Sequence, residues 1–303
     1  MVMLTRLLTV TACAQPLFLA VALVHAETAR LSQEATPDQN TVVTLRVLAR
    51  DHHGNPITDL VQNELEVYEG KKQQSIESLT ISHEGRADIG FLIDASGSYR
   101  NDMSALASHD AAALAGEVVR TGDFAFVAAF ALNCDLLSPP TSNLGQVKNA
   151  LSSGFNSGTR GGGTCLYDTI LWACTRELPA SSTHAALIIF SDMEDNASSH
   201  TFVEALAQAQ RTGIAIYPVT FSRTAPGRLR SRLERVISSF ADETGGEAFD
   251  VSFRPLEQIL RGIRNDLDNT YVIAYKPESP GPVSVKVRCT RKGVKIIAPD
   301  RRY

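Results

Sequence analysis

Residues 89–93, 124–130, 185–190 and 214–219 are almost wholly apolar, and the segments between them carry the Ala, Leu and Val spacing of amphipathic helices. A strand buried on both faces reads as such a continuous run, whereas a strand with one wet face alternates. The helical stretches fall at 105–119, 144–151, 166–178, 202–211, 229–241 and 256–268. Strands that alternate with helices in this way predict an α/β fold, a doubly wound and mostly parallel sheet over residues 85–268.

The flanks follow a different rule. Val43, Leu45, Val47 and Ala49 alternate with Thr44, Arg46, Leu48 and Arg50, and turns at Gly54-Asn55-Pro56 and Glu69-Gly70 separate further alternating pieces. Residues 41–84 therefore predict a small β unit. Three more strand-like pieces, 271–275, 283–288 and 294–298, lie within residues 269–303. A few strands alone make a marginal core, so the two ends are expected to pack together as an accessory β-sandwich, with the α/β domain inserted between its halves.

Ahead of these lies Arg6, an apolar stretch at 7–24 interrupted by Pro16, and then Val24-His25-Ala26. This pattern predicts a secretory signal over residues 1–26 and a polar, flexible lead-in over 27–40. The protein is thus expected in the periplasm, the cell envelope or the medium; an uncleaved signal would instead anchor it in the membrane. Cleavage leaves 28 basic and 33 acidic residues, a formal charge of −5 that argues against bulk nucleic-acid binding. Cys134, Cys165, Cys174 and Cys289 remain, an even number compatible with disulfides or with free buried thiols. None has the spacing of a zinc site.

Chemistry concentrates at the carboxyl ends of the apolar runs. Asp94-Ala95-Ser96-Gly97-Ser98 closes the first run and leads into a helix. Ligands of open α/β sheets bind beyond the strand ends. Gly161-Gly162-Gly163-Thr164 delivers a further hydroxyl, and Ser191-Asp192 ends the run 185–190. If the strands of Asp94 and Asp192 are neighbours, two carboxylates meet and would repel unless a cation lay between them. Carboxylates and hydroxyls without sulfur or imidazole suit a hard cation, Mg²⁺ first and Mn²⁺ or Ca²⁺ as well.

Plainer roles compete for the same residues. Asp, Ser and Thr also cap helices, and Asp168 sits one turn into its helix as a face residue. Glycine-rich residues 158–164 lack the Lys of a phosphate-binding loop. Arg223, Arg228, Arg230, Arg232 and Arg235 fit a solvated helix face. There is no Gly-x-Ser-x-Gly elbow and no His-Glu-x-x-His helix, so no enzyme is expected. Glu194 is the one candidate base for a metal-dependent hydrolase.

Asp94, Ser96 and Ser98, followed by Thr164 and Asp192, resemble the metal-ion-dependent adhesion site of von Willebrand factor type A domains. The segments Gly54-Asn55-Pro56, Glu64-Leu65-Glu66-Val67-Tyr68-Glu69-Gly70 and Tyr271-Val272-Ile273-Ala274-Tyr275-Lys276-Pro277 are similar to those of the VWFA-related proteins of acidobacteria. This resemblance implies that Asp94, Ser96, Ser98, Thr164 and Asp192 hold a divalent cation, some directly and some through water. It further implies that the ion grips an acidic side chain of a protein partner. A purely structural envelope module, with the cation stabilising the fold, is the other non-enzymatic reading. Where the family commonly has Gly after its second aspartate, this chain has Met193.

Overall fold

Seven consecutive buried residues, Asp88–Asp94, form the central strand β5 of a six-stranded sheet. The computed structural model describes residues 42–82, 85–97, 113–156, 162–178, 184–221, 227–277 and 281–302. The other strands of this sheet are β6 (Phe124–Phe130), β7 (Cys134–Thr141), β8 (Ala185–Phe190), β9 (Ala215–Thr220) and β10 (Phe249–Asp250). Their order is β10-β9-β8-β5-β6-β7. All pairings are parallel except β6–β7. The antiparallel strand β7 is an addition to the expected set. Its sequence is polar and holds Pro139 and Pro140, which a central strand excludes and a sheet edge tolerates.

Helices cover both faces because successive strand residues point to opposite sides. Ile89, Phe91 and Ile93 face helices α1 (Leu144–Asn156) and α5 (Leu256–Asp268), through Val147, Leu151, Ile259 and Ile263. Leu92, Leu187 and Ile189 face α2 (Leu166–Trp172), α3 (Phe202–Thr212) and Phe240 of α4 (Gly227–Asp242). Each such side chain removed from water contributes about 1.5–3 kcal/mol. Local signals set the ends of α3: Thr201 accepts from the Glu204 amide, Glu204 accepts from the Thr201 amide, and Gly213 closes the helix at φ 71°. The expected helix at 105–119 lies mostly outside the described residues; 113–117 form a short 3₁₀ turn.

The accessory strands form two further sheets. One runs β13-β1-β11-β4, the other β14-β12-β2-β3. Here β1 is Val43–Arg50, β2 Leu65–Glu69, β3 Lys72–Gln74 and β4 Ile76–Ile81, while β11 is Tyr271–Tyr275, β12 Val283–Cys289, β13 Lys295–Ile297 and β14 Arg301–Arg302. Leu45, Val47, Leu65, Val67, Tyr271, Ile273 and Val285 share one core between them. The two ends of the chain do not supply separate halves of this sandwich. Each sheet joins strands from both ends, alternating in the first and meeting at the β12–β2 seam in the second, with Val47 opposite Tyr271 and Val67 opposite Val287.

Arg46 on β1 donates to the Ala185 carbonyl at 2.7 Å, where β8 begins, so β1 meets the amino-terminal end of the parallel strands. The opposite, carboxyl-terminal end is left to the loops that carry Asp94, Thr164 and Asp192. Among the described residues no helix is long and apolar enough to cross a membrane.

Candidate metal centre

Asp94 ends β5 and is fully buried, with Oδ2 accepting from the Ser191 hydroxyl at 2.6 Å and Oδ1 from the Ser96 amide at 2.9 Å. β5 and β8 are sheet neighbours in register, with Ile93 opposite Phe190, so the residues that follow each strand meet at one edge. This placement satisfies the condition on which the convergence of two carboxylates depends. Burial lifts the Asp94 carboxyl to about 6, the donors from Ser191 and Ser96 pull it back, and the charge of Asp192 pushes it up further. Asp192 is itself buried and accepts from the Glu194 amide at 3.0 Å.

Thr164 reaches the same edge from another direction. Its carbonyl accepts from the amides of Asn196 and Ala197, both at 3.1 Å, and its own amide donates to Asn196 Oδ1 at 2.8 Å. The loop is squeezed where it passes: a Cβ on Gly163 would lie 2.7 Å from Leu132 and 3.1 Å from Ala197. A side chain there would have to push aside the exposed Leu132 and crowd Ala197, and Thr164 is buried directly after it. Ser96 is buried too, whereas Ser98 lies outside the described residues.

Several neighbours hold the loops rather than a ligand. Asp195 accepts from the Tyr167 amide at 3.1 Å, and Ser198 Oγ accepts from the Asp168 amide at 3.1 Å, which satisfies two otherwise orphaned donors of the first turn of α2. Asp168 returns the favour by accepting from the Ser199 and His200 amides at 2.8 and 2.9 Å. It clamps this loop, where the sequence suggests only a helix-face residue. Ser191 was legible as an oxygen at the strand end, but its bond to Asp94 depends on the strand order.

Met193 stands in the left-handed region at φ 61° and is completely buried. A residue with a Cβ is strained there by about 1 kcal/mol, which explains why glycine suits this turn. Here the side chain packs into the apolar layer beneath α2 and α3, and its amide donates to Ser191 Oγ at 2.9 Å. Burial offsets the strain, so the turn is kept without glycine.

A buried carboxylate bonded to a hydroxyl and an amide, beside a second carboxylate, fits a hard cation. Among the described residues no ion pair reaches Asp94. Among them no three or more His, Cys, Asp or Glu side chains gather.

No protein-family model matches this chain, and none of the curated proteins does. Among solved structures, proximal thread matrix protein 1 from the mussel byssus, with a zinc-occupied MIDAS motif, matches at TM-score 0.50 and 16% identity, covering 67% of this chain and 50% of that one. This chain has the von Willebrand factor type A fold. A von Willebrand factor type A structure from Catenulispora acidiphila covers 78% of this chain and 75% of its own at 10% identity and TM-score 0.47. The BatB protein from Bacteroides thetaiotaomicron covers 59% and 98% at 19% identity and TM-score 0.46. The chain thus spans about half the length of the byssus protein. In von Willebrand factor type A terms, the six-stranded sheet and its helices are the domain itself, and the two antiparallel sheets are accessory to it.

Proposed function

We propose that this protein binds a divalent cation, Mg²⁺ by preference, through Asp94, Ser96, Ser98, Thr164 and Asp192, and uses it to hold an acidic side chain of a protein partner. The protein acts as an exported adhesion or interaction module and not as an enzyme. The observation that carries this reading is Asp94, a fully buried carboxylate whose described partners are neutral and whose charged neighbour is another carboxylate. Such an arrangement is costly without a cation and favourable with one.

A cation bound there supplies positive charge that an outside carboxylate can meet. The chain's own residues do the rest. Ser191 and the Ser96 amide orient Asp94, the Glu194 amide orients Asp192, and the Asn196–Ala197 turn fixes the backbone of Thr164. Glu194 is bonded through its amide to Asp192.

The test is thermal unfolding with and without Mg²⁺. A ligand of the folded state stabilises by RT ln(1 + [L]/Kd), about 2.7 kcal/mol at a hundredfold excess over Kd. Wild type is expected to gain stability with Mg²⁺, and Asp94→Ala and Asp192→Ala to lose that gain. Mutants that keep the full response would remove these residues from the site. Capture of a partner that survives chelation would leave the cation as a stabiliser only.

A further inference from the structure

Cys134 opens β7 and Cys165 directly follows Thr164, yet the fold places them side by side. Cys134 pairs with Phe130 across the β6–β7 hairpin, and the Cys165 amide donates to the carbonyl of Ala131, one residue beyond Phe130, at 2.7 Å. Their side chains converge on one group. Cys165 Sγ lies 3.5 Å from Thr169 Oγ1, and the Cys134 thiol is close enough to feel both that hydroxyl and the Cys165 sulfur. Both are free thiols in this structure.

The other two mature cysteines have different surroundings. Cys174 is buried more than two helical turns beyond Cys165, about 13 Å away by helical rise, with Thr212 near its thiol. Cys289 ends β12 in the accessory sandwich, opposite Leu65. Of the six pairs that Cys134, Cys165, Cys174 and Cys289 can form, those that use Cys174 or Cys289 gain no support from these contacts.

We propose that Cys134 and Cys165 are a redox-sensitive pair that closes to a disulfide when a disulfide-bearing oxidant is present. Cys134 is only partly covered and Cys165 is buried, so Cys134 meets the oxidant first. Its deprotonated sulfur attacks one sulfur of the oxidant R–S–S–R, forming a mixed disulfide and releasing one R–S⁻. The deprotonated Cys165 sulfur then attacks Cys134 Sγ, forming the intrachain bond and releasing the second R–S⁻. The two cysteines lose two electrons, the oxidant gains them, and the two thiol protons end on two R–SH. The bond ties the loop of Gly163 and Thr164 to the hairpin that carries Leu132, whichever ion the neighbouring residues hold.

The test uses the folded full chain incubated with glutathione disulfide, then alkylated in denaturant and mapped by mass spectrometry. The expected product is one cross-linked peptide pair joining Cys134 to Cys165, lighter by two hydrogens, with Cys174 and Cys289 alkylated. Alkylation of both Cys134 and Cys165, a lasting glutathione adduct on Cys134, or a cross-link between any other pair would overturn the proposal. A second measurement guards against reaction of unfolded chains: the oxidised protein should unfold several degrees above the reduced one. That gap should vanish in Cys134→Ser, and a gap that persists there would also refute the pair.

Discussion

The two ends of the six-stranded sheet treat buried carboxylates in opposite ways. At the amino-terminal end each is answered by arginine. Asp123 takes Arg264 at 2.5 Å, Asp268 takes Arg264 at 2.7 Å and Arg120 at 2.6 Å, and Asp266 takes Arg50 through both oxygens at 2.5 and 2.7 Å. Arg50 also pairs with Glu247. This network locks α5 to the strand ends and to β1 of the accessory sandwich. At the carboxyl-terminal end, Asp94 has a hydroxyl and an amide, with Asp192 adding repulsion. A fold that places arginine against four carboxylates at one end sets none in an ion pair with Asp94 among the described residues, which is what a cation site requires.

The sharpest way to break this contrast is to delete charge at each end. Arg264→Met strands Asp123 in the interior, while Asp268 keeps Arg120, and removing one partner of a buried pair costs about 3–5 kcal/mol. Urea unfolding should show a loss of that size. Asp94→Asn should do the reverse in chelator at pH 8, raising stability by roughly 1–3 kcal/mol while abolishing the response to Mg²⁺. The sign follows from linkage. A carboxyl lifted to about 6 by burial holds its proton in the fold at pH values where the unfolded chain has lost it. The cation-free fold therefore loses stability as pH rises through roughly 4 to 6 and carries the full cost above that. A clear loss of stability for Asp94→Asn in chelator would show that the two ends are alike.

Met193→Gly probes how the cation end is braced. It relieves the strain at φ 61° but empties a buried site, with a net loss of about 1–2 kcal/mol in denaturant unfolding. The smallest effect belongs to the arginine end. Burial lowers the affinity of His184 for a proton, and Arg46 and Arg264 lower it further. Below about pH 6.5 the unfolded chain takes up a proton that the folded one refuses, so stability falls as pH drops. His184→Gln should flatten that decline, by less than about 1 kcal/mol between pH 7 and 5.5.

Much of this architecture was legible because burial on both faces writes itself into the chain. The runs at 124–130 and 185–190 became β6 and β8 without change of boundary, and α5 occupies the stretch 256–268. Strand β7 escaped because edge strands need no apolar run and accept proline. The short strands β3, β10 and β14 escaped because two or three residues carry no period. At the candidate site the oxygens were legible as residue types at strand ends. Asn196 and Asp195 were not, because their work is to hold the backbone of Thr164 and cap α2 from a loop about thirty residues away.

By itself the sequence determined periodicity, and with it the strands, the helices and the oxygen-bearing turns after residues 93, 163 and 190, since hydrophobic burial and turn chemistry act over a few residues. Only the tertiary structure decided strand order, the joining of both chain ends in each accessory sheet, and which carboxylates found an arginine. Those outcomes depend on contacts between segments as far apart as Arg50 and Asp266, for which a linear pattern carries no signal.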